Sequence, residues 1–357
     1  MSAYPVTFTA RLEAATVRRV LGLPPRALRA LAGKPVVRDG QTLEAEVQLM
    51  LRLMELDPRP AMEERDPAGA REEIRHAAAS VAGRPLDLAR VEPRTVQGAA
   101  GPLAARLYVP HERAGSEPGP LLVFFHGGGW VVGDLDSHDA PCRLLARSAG
   151  ARVLAVDYRL APEHRYPAAP DDAFAAFRHV HAHAAEFGAD PDRIAVGGDS
   201  AGGNVAAVCC LLAAADGGPA PAFQLLIYPA TDNGAQETAS HWLFAEGFFL
   251  TGEQMRWYRA HYFGAAEAQV AGEPKASPLR ADDVSGVAPA HVVTAGFDPL
   301  RDEGEAYADR LHEAGVRVTK RRHTGLIHGF INAVGAGHAS RDAVVEMGGV
   351  LRAALTA

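Results

Sequence analysis

The chain reads as an α/β protein built on a mostly parallel central β-sheet flanked by helices, and three observations carry that reading. From about residue 91 onward, short apolar runs rich in β-branched residues alternate with longer helical patterns, as in a sheet covered on both faces. The run at 194–196 breaks at Gly197 and Gly198 and gives way, just past Ser200, to a long apolar helical run. Hydrophobic residues make up 48% of the 357, ample for one large core with an added helical layer.

In chain order, residues 1–90 read as a helical segment. Leu43, Val47, Met50, Leu51 and Met54 recur at helical spacing, with Thr42 as the expected N-cap. Asp66-Pro67 marks a second helix start and Gly83 a stop. Such a prelude either caps a site or packs on the core. Strands are predicted at 91–96 and 104–109, joined as a hairpin through the turn at 98–101. Further strands are predicted at 121–125, 153–157, 194–196, 223–228, 291–295 and 316–321, and helices near 138–149, 170–187, 202–215, 302–314 and 340–355. The core is thus expected in two parts, 91–232 and 276–357, with an insertion at 233–275. Ligands of such a sheet sit at the carboxyl ends of its strands.

Gly198-Asp199-Ser200-Ala201-Gly202 fits G-x-S-x-G, a strand-to-helix turn that lifts a serine clear of the sheet at the positive end of a helix. The pattern arises by chance in roughly one such chain in ten, so its neighbours decide its meaning. His126-Gly127-Gly128-Gly129-Trp130 follows a predicted strand. Glycines there can turn N–H groups into a cavity, and the amides of Gly128, Gly129 and Ala201 are the expected oxyanion hole. The acid and base of such a site follow the serine in the chain. Asp298 comes directly after a predicted strand; Asp302 is the alternative acid, or else a helix N-cap. His328 stands in a short loop after the last strand, with His323 the alternative base. Ser200 would attack an ester carbonyl, His328 would carry its proton to the leaving alkoxide, and Asp298 would hold the imidazole. Water would release the acid, with no metal or organic cofactor.

Eight of the chain's 24 aromatic residues fall between Trp242 and Phe263. They read as an apolar lid over an acyl pocket, as the insertion's own small core, or as both. Trp130, Phe248 and Phe249 are the expected substrate contacts, and Thr251 with Gln254 an expected capping box. The net charge of −7 and the absence of a basic stripe argue against nucleic acid. The longest apolar run, 205–215, is too short to span a bilayer, and the N-terminus lacks the apolar run of a signal peptide. Three cysteines, Cys142, Cys209 and Cys210, show neither disulfide nor metal spacing, which points to a reducing cytoplasm.

The stretches HGGGW, DYRLAPEHRYPAAPDDA, GGDSAGGN, GFDPLRDEG and HGF together resemble the hormone-sensitive-lipase family of bacterial carboxylesterases, from about residue 91 to the end. The resemblance implies an α/β-hydrolase fold with a helical cap, made by the N-terminal segment and the insertion. It implies hydrolysis of short- to medium-chain acyl esters by Ser200, His328 and Asp298. It also implies a structural role for residues 157–172, with Arg159 and Glu163 in buried polar contacts, and is compatible with a homodimer. The first 88 residues are longer than the family's usual N-terminal cap. Amide hydrolysis or acyl transfer would use the same residues. A receptor on this fold would lack the catalytic histidine, which is present here.

Overall fold

The computed structural model describes residues 8–115, 117–234 and 237–356, and for residues 8–14 the backbone alone. Residues 1–7, where the segment read over 1–90 and the expected leaderless N-terminus begin, lie outside the described residues, as does Ala357.

After two helices, Phe8–Leu21 and Pro25–Ala32, comes a two-stranded antiparallel ribbon, β1 (Val37–Arg38) and β2 (Gln41–Thr42). Asp39 and Gly40 between them have φ of 53° and 70°, the left-handed pair that closes a tight hairpin and that an Asp-Gly dipeptide favours. Thr42 therefore belongs to a strand and is not a helix cap. The helix after it, Ala45–Glu55, starts behind Glu44 with no side-chain cap. The second start is as expected: Asp66 accepts the Gly69 N–H at 2.7 Å and Pro67 opens the helix Pro67–Val81.

The main sheet has eight strands: β3 (Arg90–Gly98), β4 (Gly101–Val109), β5 (Gly119–Phe125), β6 (Arg152–Val156), β7 (Ala189–Asp199), β8 (Phe223–Ile227), β9 (Ala290–Phe297) and β10 (Val318–Ile327). Their order is β10-β9-β8-β7-β5-β6-β4-β3, parallel except where β4 meets β3 and β6. β7 starts five residues before the apolar run that announces it. That polar beginning pairs with β5 only at Gly119, beyond a register shift.

Successive residues of β5 point to opposite faces. Leu121, Val123 and Phe125 join one apolar cluster with the helices Ala168–Ala182, Ala201–Asp216 and Arg301–Glu313. Leu122 and Phe124 join the other with Asp139–Ala149 and Ala339–Thr356. Burial on both faces explains why the central strands read as continuous apolar runs. The N-terminal segment is tied into this body. Buried Glu46 accepts the N–H groups of His338 and Ala339 at 2.9 and 2.7 Å, capping the last helix from far along the chain.

In the 157–172 segment, Arg159 grips the fully buried Asp172 through two 2.8 Å bonds. Glu163 departs from expectation. It pairs with Arg71 on the surface, its side chain 55% exposed, because Arg71 reaches over from helix Pro67–Val81 to the carbonyls of Val131 and Ala161. Among the described residues no helix is long and apolar enough to cross a membrane.

Candidate active site

Ser200 lies between β7 and the helix Ala201–Asp216 at φ 56° and ψ −118°, a conformation that costs an L-residue energy and persists only where the surroundings enforce it. Its N–H donates to Ile227 O at 2.8 Å and its carbonyl accepts the Asn204 N–H at 3.0 Å. Gly198 and Gly202 are dictated by space, since a Cβ on either would run into the Phe125 carbonyl oxygen.

The ends of β7, β9 and β10 bring Ser200, Asp298 and His328 together. His328 Nε2 is 2.9 Å from Ser200 Oγ, and His328 Nδ1 is 2.8 Å from Asp298 Oδ2. Asp298 is fully buried, and its other oxygen accepts the Leu300 N–H at 2.8 Å. That leaves the imidazole with Nδ1 as donor and Nε2 free to accept the serine proton. The alternatives lie elsewhere. Asp302 sits inside the first turn of helix Arg301–Glu313, where it accepts the Ser240 N–H and the Arg301 Nε–H at 2.8 Å each, so it is neither acid nor N-cap. His323 packs edge-on to Phe330.

Gly128 and Gly129 have φ of 116° and 57°, and their loop is closed by the N–H groups of Val131 and Val132 donating to Gly128 O. The N–H groups of Gly128, Gly129 and Ala201 find no acceptor among the described residues, and these three residues border the same cavity as Ser200. Two buried groups hold this loop. His126 stacks on Tyr158 with centroids 4.5 Å apart, and its Nδ1–H donates to Gly127 O at 2.8 Å. Burial, helped by nearby His138, pushes this imidazole down to about 4, so it stays neutral and is no acid–base group. Asp199, silent in the G-x-S-x-G pattern, accepts the Gly127 N–H at 2.8 Å and lies 3.2 Å from His138 Nε2. Burial alone would raise its pKa, but His138 and the Gly127 N–H hold the carboxyl below the usual range. Its one sequence signal is a charge just past the apolar run 194–196 and its two glycines.

A cavity of about 600 Å³ opens over Ser200 and His328. The N-terminal segment supplies Met50, Met54, Met62 and Ile74 to its wall, and the insertion supplies Phe249, Leu250, Met255 and Tyr258. Trp130 and Phe249 border the cavity as expected. Phe248 does not: it turns into the core against Phe244 and Phe297, at 5.5 and 5.2 Å, beneath Arg38. The aromatic cluster thus divides, with Tyr262 stacked on Trp130 at 4.4 Å as part of a core and Tyr258 facing the site. The Tyr258 ring covers Gly129, and its hydroxyl donates to Met62 Sδ at 3.0 Å, joining both cap contributions above the oxyanion loop. The capping box forms, with Gln254 N–H to Thr251 Oγ1 at 3.1 Å. Among the described residues no group of three or more His, Cys, Asp or Glu side chains is placed to hold a metal ion.

Comparison with known proteins agrees with this geometry. A family model described as an alpha/beta hydrolase fold matches residues 122–332. The chain is 44% identical to the carboxylic ester hydrolase LipN of Mycobacterium tuberculosis (strain ATCC 25618 / H37Rv), over 99% of this chain and 95% of that protein. It is 40% identical to an ethyl acetate hydrolase of Pseudomonas putida, over 64% of this chain and 71% of that one. Among solved structures, the hyperthermophilic esterase from the archaeon Pyrobaculum calidifontis superposes with a TM-score of 0.81 at 38% identity, covering 86% of this chain and 97% of that one.

Proposed function

This chain belongs to the α/β-hydrolase family, and from that premise we propose that it is a serine carboxylesterase that hydrolyses short- to medium-chain acyl esters through Ser200, His328 and Asp298. The observation that carries the proposal is the unbroken relay from Ser200 Oγ through His328 to buried Asp298, with steps of 2.9 and 2.8 Å, beneath an apolar cavity. Relatives named as ester hydrolases and esterases support the reaction class.

Ser200 Oγ attacks the ester carbonyl as its proton passes to His328 Nε2. Charge gathers on the carbonyl oxygen, where the N–H groups of Gly128, Gly129 and Ala201 receive it, each worth on the order of 3 kcal/mol. His328 then gives the proton to the departing alkoxide, leaving an acyl-Ser200 intermediate. Water, deprotonated by the same imidazole, releases the acid. Asp298 fixes the tautomer throughout.

Residues 1–90 and 233–275 act as the cap, supported by their shared contribution to the cavity wall, while 91–232 and 276–357 form the core. Three free, buried cysteines support a reducing, cytoplasmic setting. The net charge of −7 supports small esters, not nucleic acid, as partners, and a homodimer is an expectation that sedimentation tests. The direct test is hydrolysis of p-nitrophenyl esters from acetyl to palmitoyl by wild type, Ser200→Ala and His328→Ala. The expected result is activity peaking at short or medium chains and lost in both variants; a folded wild type that turns over none of them overturns the reading.

A further inference from the structure

Residues 39–44, far from the site in sequence, touch the two strand ends that present the acid and the base. Buried Gln41 donates its Nε2–H to the Gly296 carbonyl at 3.1 Å, two residues before Asp298. The Glu44 N–H donates to the Gly325 carbonyl at 2.9 Å, three residues before His328. The fit is close. A Cβ on Gly325 would come within 2.8 Å of Glu44 Cγ and 3.2 Å of Thr42 O, and one on Gly296 within 2.8 Å of Gln41 Oε1.

These contacts fall where the sheet's own pairing fails. β9 and β10 run in register to His323–Ala295, then shift before Ile327–Phe297. Over residues 324–326 the edge strand is bulged, and the β1–β2 ribbon lies against it. A third tie comes from Arg301, only 4% exposed, whose Nη1–H groups reach Asp39 Oδ2 at 2.7 Å and the Gly296 carbonyl at 3.4 Å. Gln41, Thr42 and Glu44 are absent from the cavity wall, so they are not placed to touch substrate.

We infer that the ribbon is a clamp that sets the spacing of Asp298 and His328, with Gln41 as a positioning residue. The inference rests on the reading of those two residues as acid and base. Without the Gln41 donor, the long contact from Arg301 is the one side-chain bond left to Gly296 O among the described residues, and the bulged end of β10 loses its fixed neighbour. The acid and base loops then sample separations that break the relay, a loss that appears in the chemical step and is blind to the acyl chain.

The test compares wild type, Gln41→Leu, Asp39→Asn and Ser200→Ala on p-nitrophenyl acetate, butyrate and octanoate. Alongside the kinetics, ¹H NMR follows the low-field proton between His328 and Asp298. Gln41→Leu is expected to lower kcat at least tenfold by the same factor for all three esters, with KM within twofold and the resonance broadened or moved upfield. Asp39→Asn, at the surface, should move both readouts the same way by a smaller factor, and serves if Gln41→Leu does not fold. Wild-type kcat with an unmoved resonance overturns the clamp. So does a change confined to KM that differs among acyl lengths, which would make the ribbon part of the substrate wall. Activity remaining in Ser200→Ala, or an inactive wild type, instead defeats the esterase reading; the resonance then still reports whether the ribbon sets the Asp298–His328 contact.

Discussion

Ser200 at φ 56° and Trp130 at φ 61° occupy backbone conformations that only a crowded surrounding can hold. Both flank amides proposed to form the oxyanion hole, so strain and the proposed chemistry coincide in one small volume. Gly129, next to Trp130, has φ 57° and meets the Tyr258 ring where a Cβ would stand. Gly129→Ala must therefore move the ring or the loop. Its expected effect is a fall in kcat of roughly 10²-fold together with a stability loss of more than about 1 kcal/mol, checked by steady-state kinetics beside a urea melt. The proposed serine, acid and base were legible because each is tied to local pattern: a glycine-flanked turn, the first polar residue after a buried strand, and a short loop after the last strand. Asp199 and Tyr258 were not. Their roles come from partners far along the chain, Gly127 for one and Gly129 with Met62 for the other, and no spacing encodes such contacts.

At the level of elements, eight strands stood out because each central one is buried on both faces. The ribbon did not stand out. Two strands of two residues have no periodicity, and the helical pattern beginning at Leu43 drew the N-cap reading to Thr42. Asp39-Gly40 was the available signal, a dipeptide suited to a tight hairpin. The cap insertion was legible in composition but not in orientation, since neighbouring aromatics face opposite ways. Phe249→Ala should shift the acyl-length preference, measured as kcat/KM across the ester series, at little cost in stability. Phe248→Ala should leave that preference unchanged and cost about 3–5 kcal/mol in urea unfolding, because it empties a site between Phe244 and Phe297. Glu46→Ala should cost about 1–2 kcal/mol by uncapping the helix Ala339–Thr356, with kinetics unaltered.

Across the whole molecule, the N-terminal segment is fastened to the core at several separate places: Glu46 on the last helix, Gln41 on β9, Glu44 on β10 and Arg71 on the oxyanion loop. It is part of the machine's frame as well as of its cavity wall. Global stability should also carry a pH signature from the buried His126. Its folded pKa of about 4 lies below the unfolded 6.5, so its contribution is complete above pH 6.5 and is lost as the pH falls toward 4. At pH 5 the loss from this one group should be about 2 kcal/mol relative to pH 7.5, against an opposite change from Asp157, whose carboxyl is pushed up to about 6 by burial. The His126 ring is therefore followed directly by NMR through the pH range, and a ring that titrates near 6.5 in the folded protein would contradict a buried neutral imidazole.

The central claim is that Ser200 forms a covalent intermediate, and trapping it is the most direct measurement. The protein would be treated with a p-nitrophenyl alkylphosphonate and the adduct located by peptide mass spectrometry. The account expects one equivalent bound at Ser200, complete loss of ester hydrolysis, and no adduct in Ser200→Ala. An adduct on another residue, or hydrolysis that survives stoichiometric labelling, would contradict it.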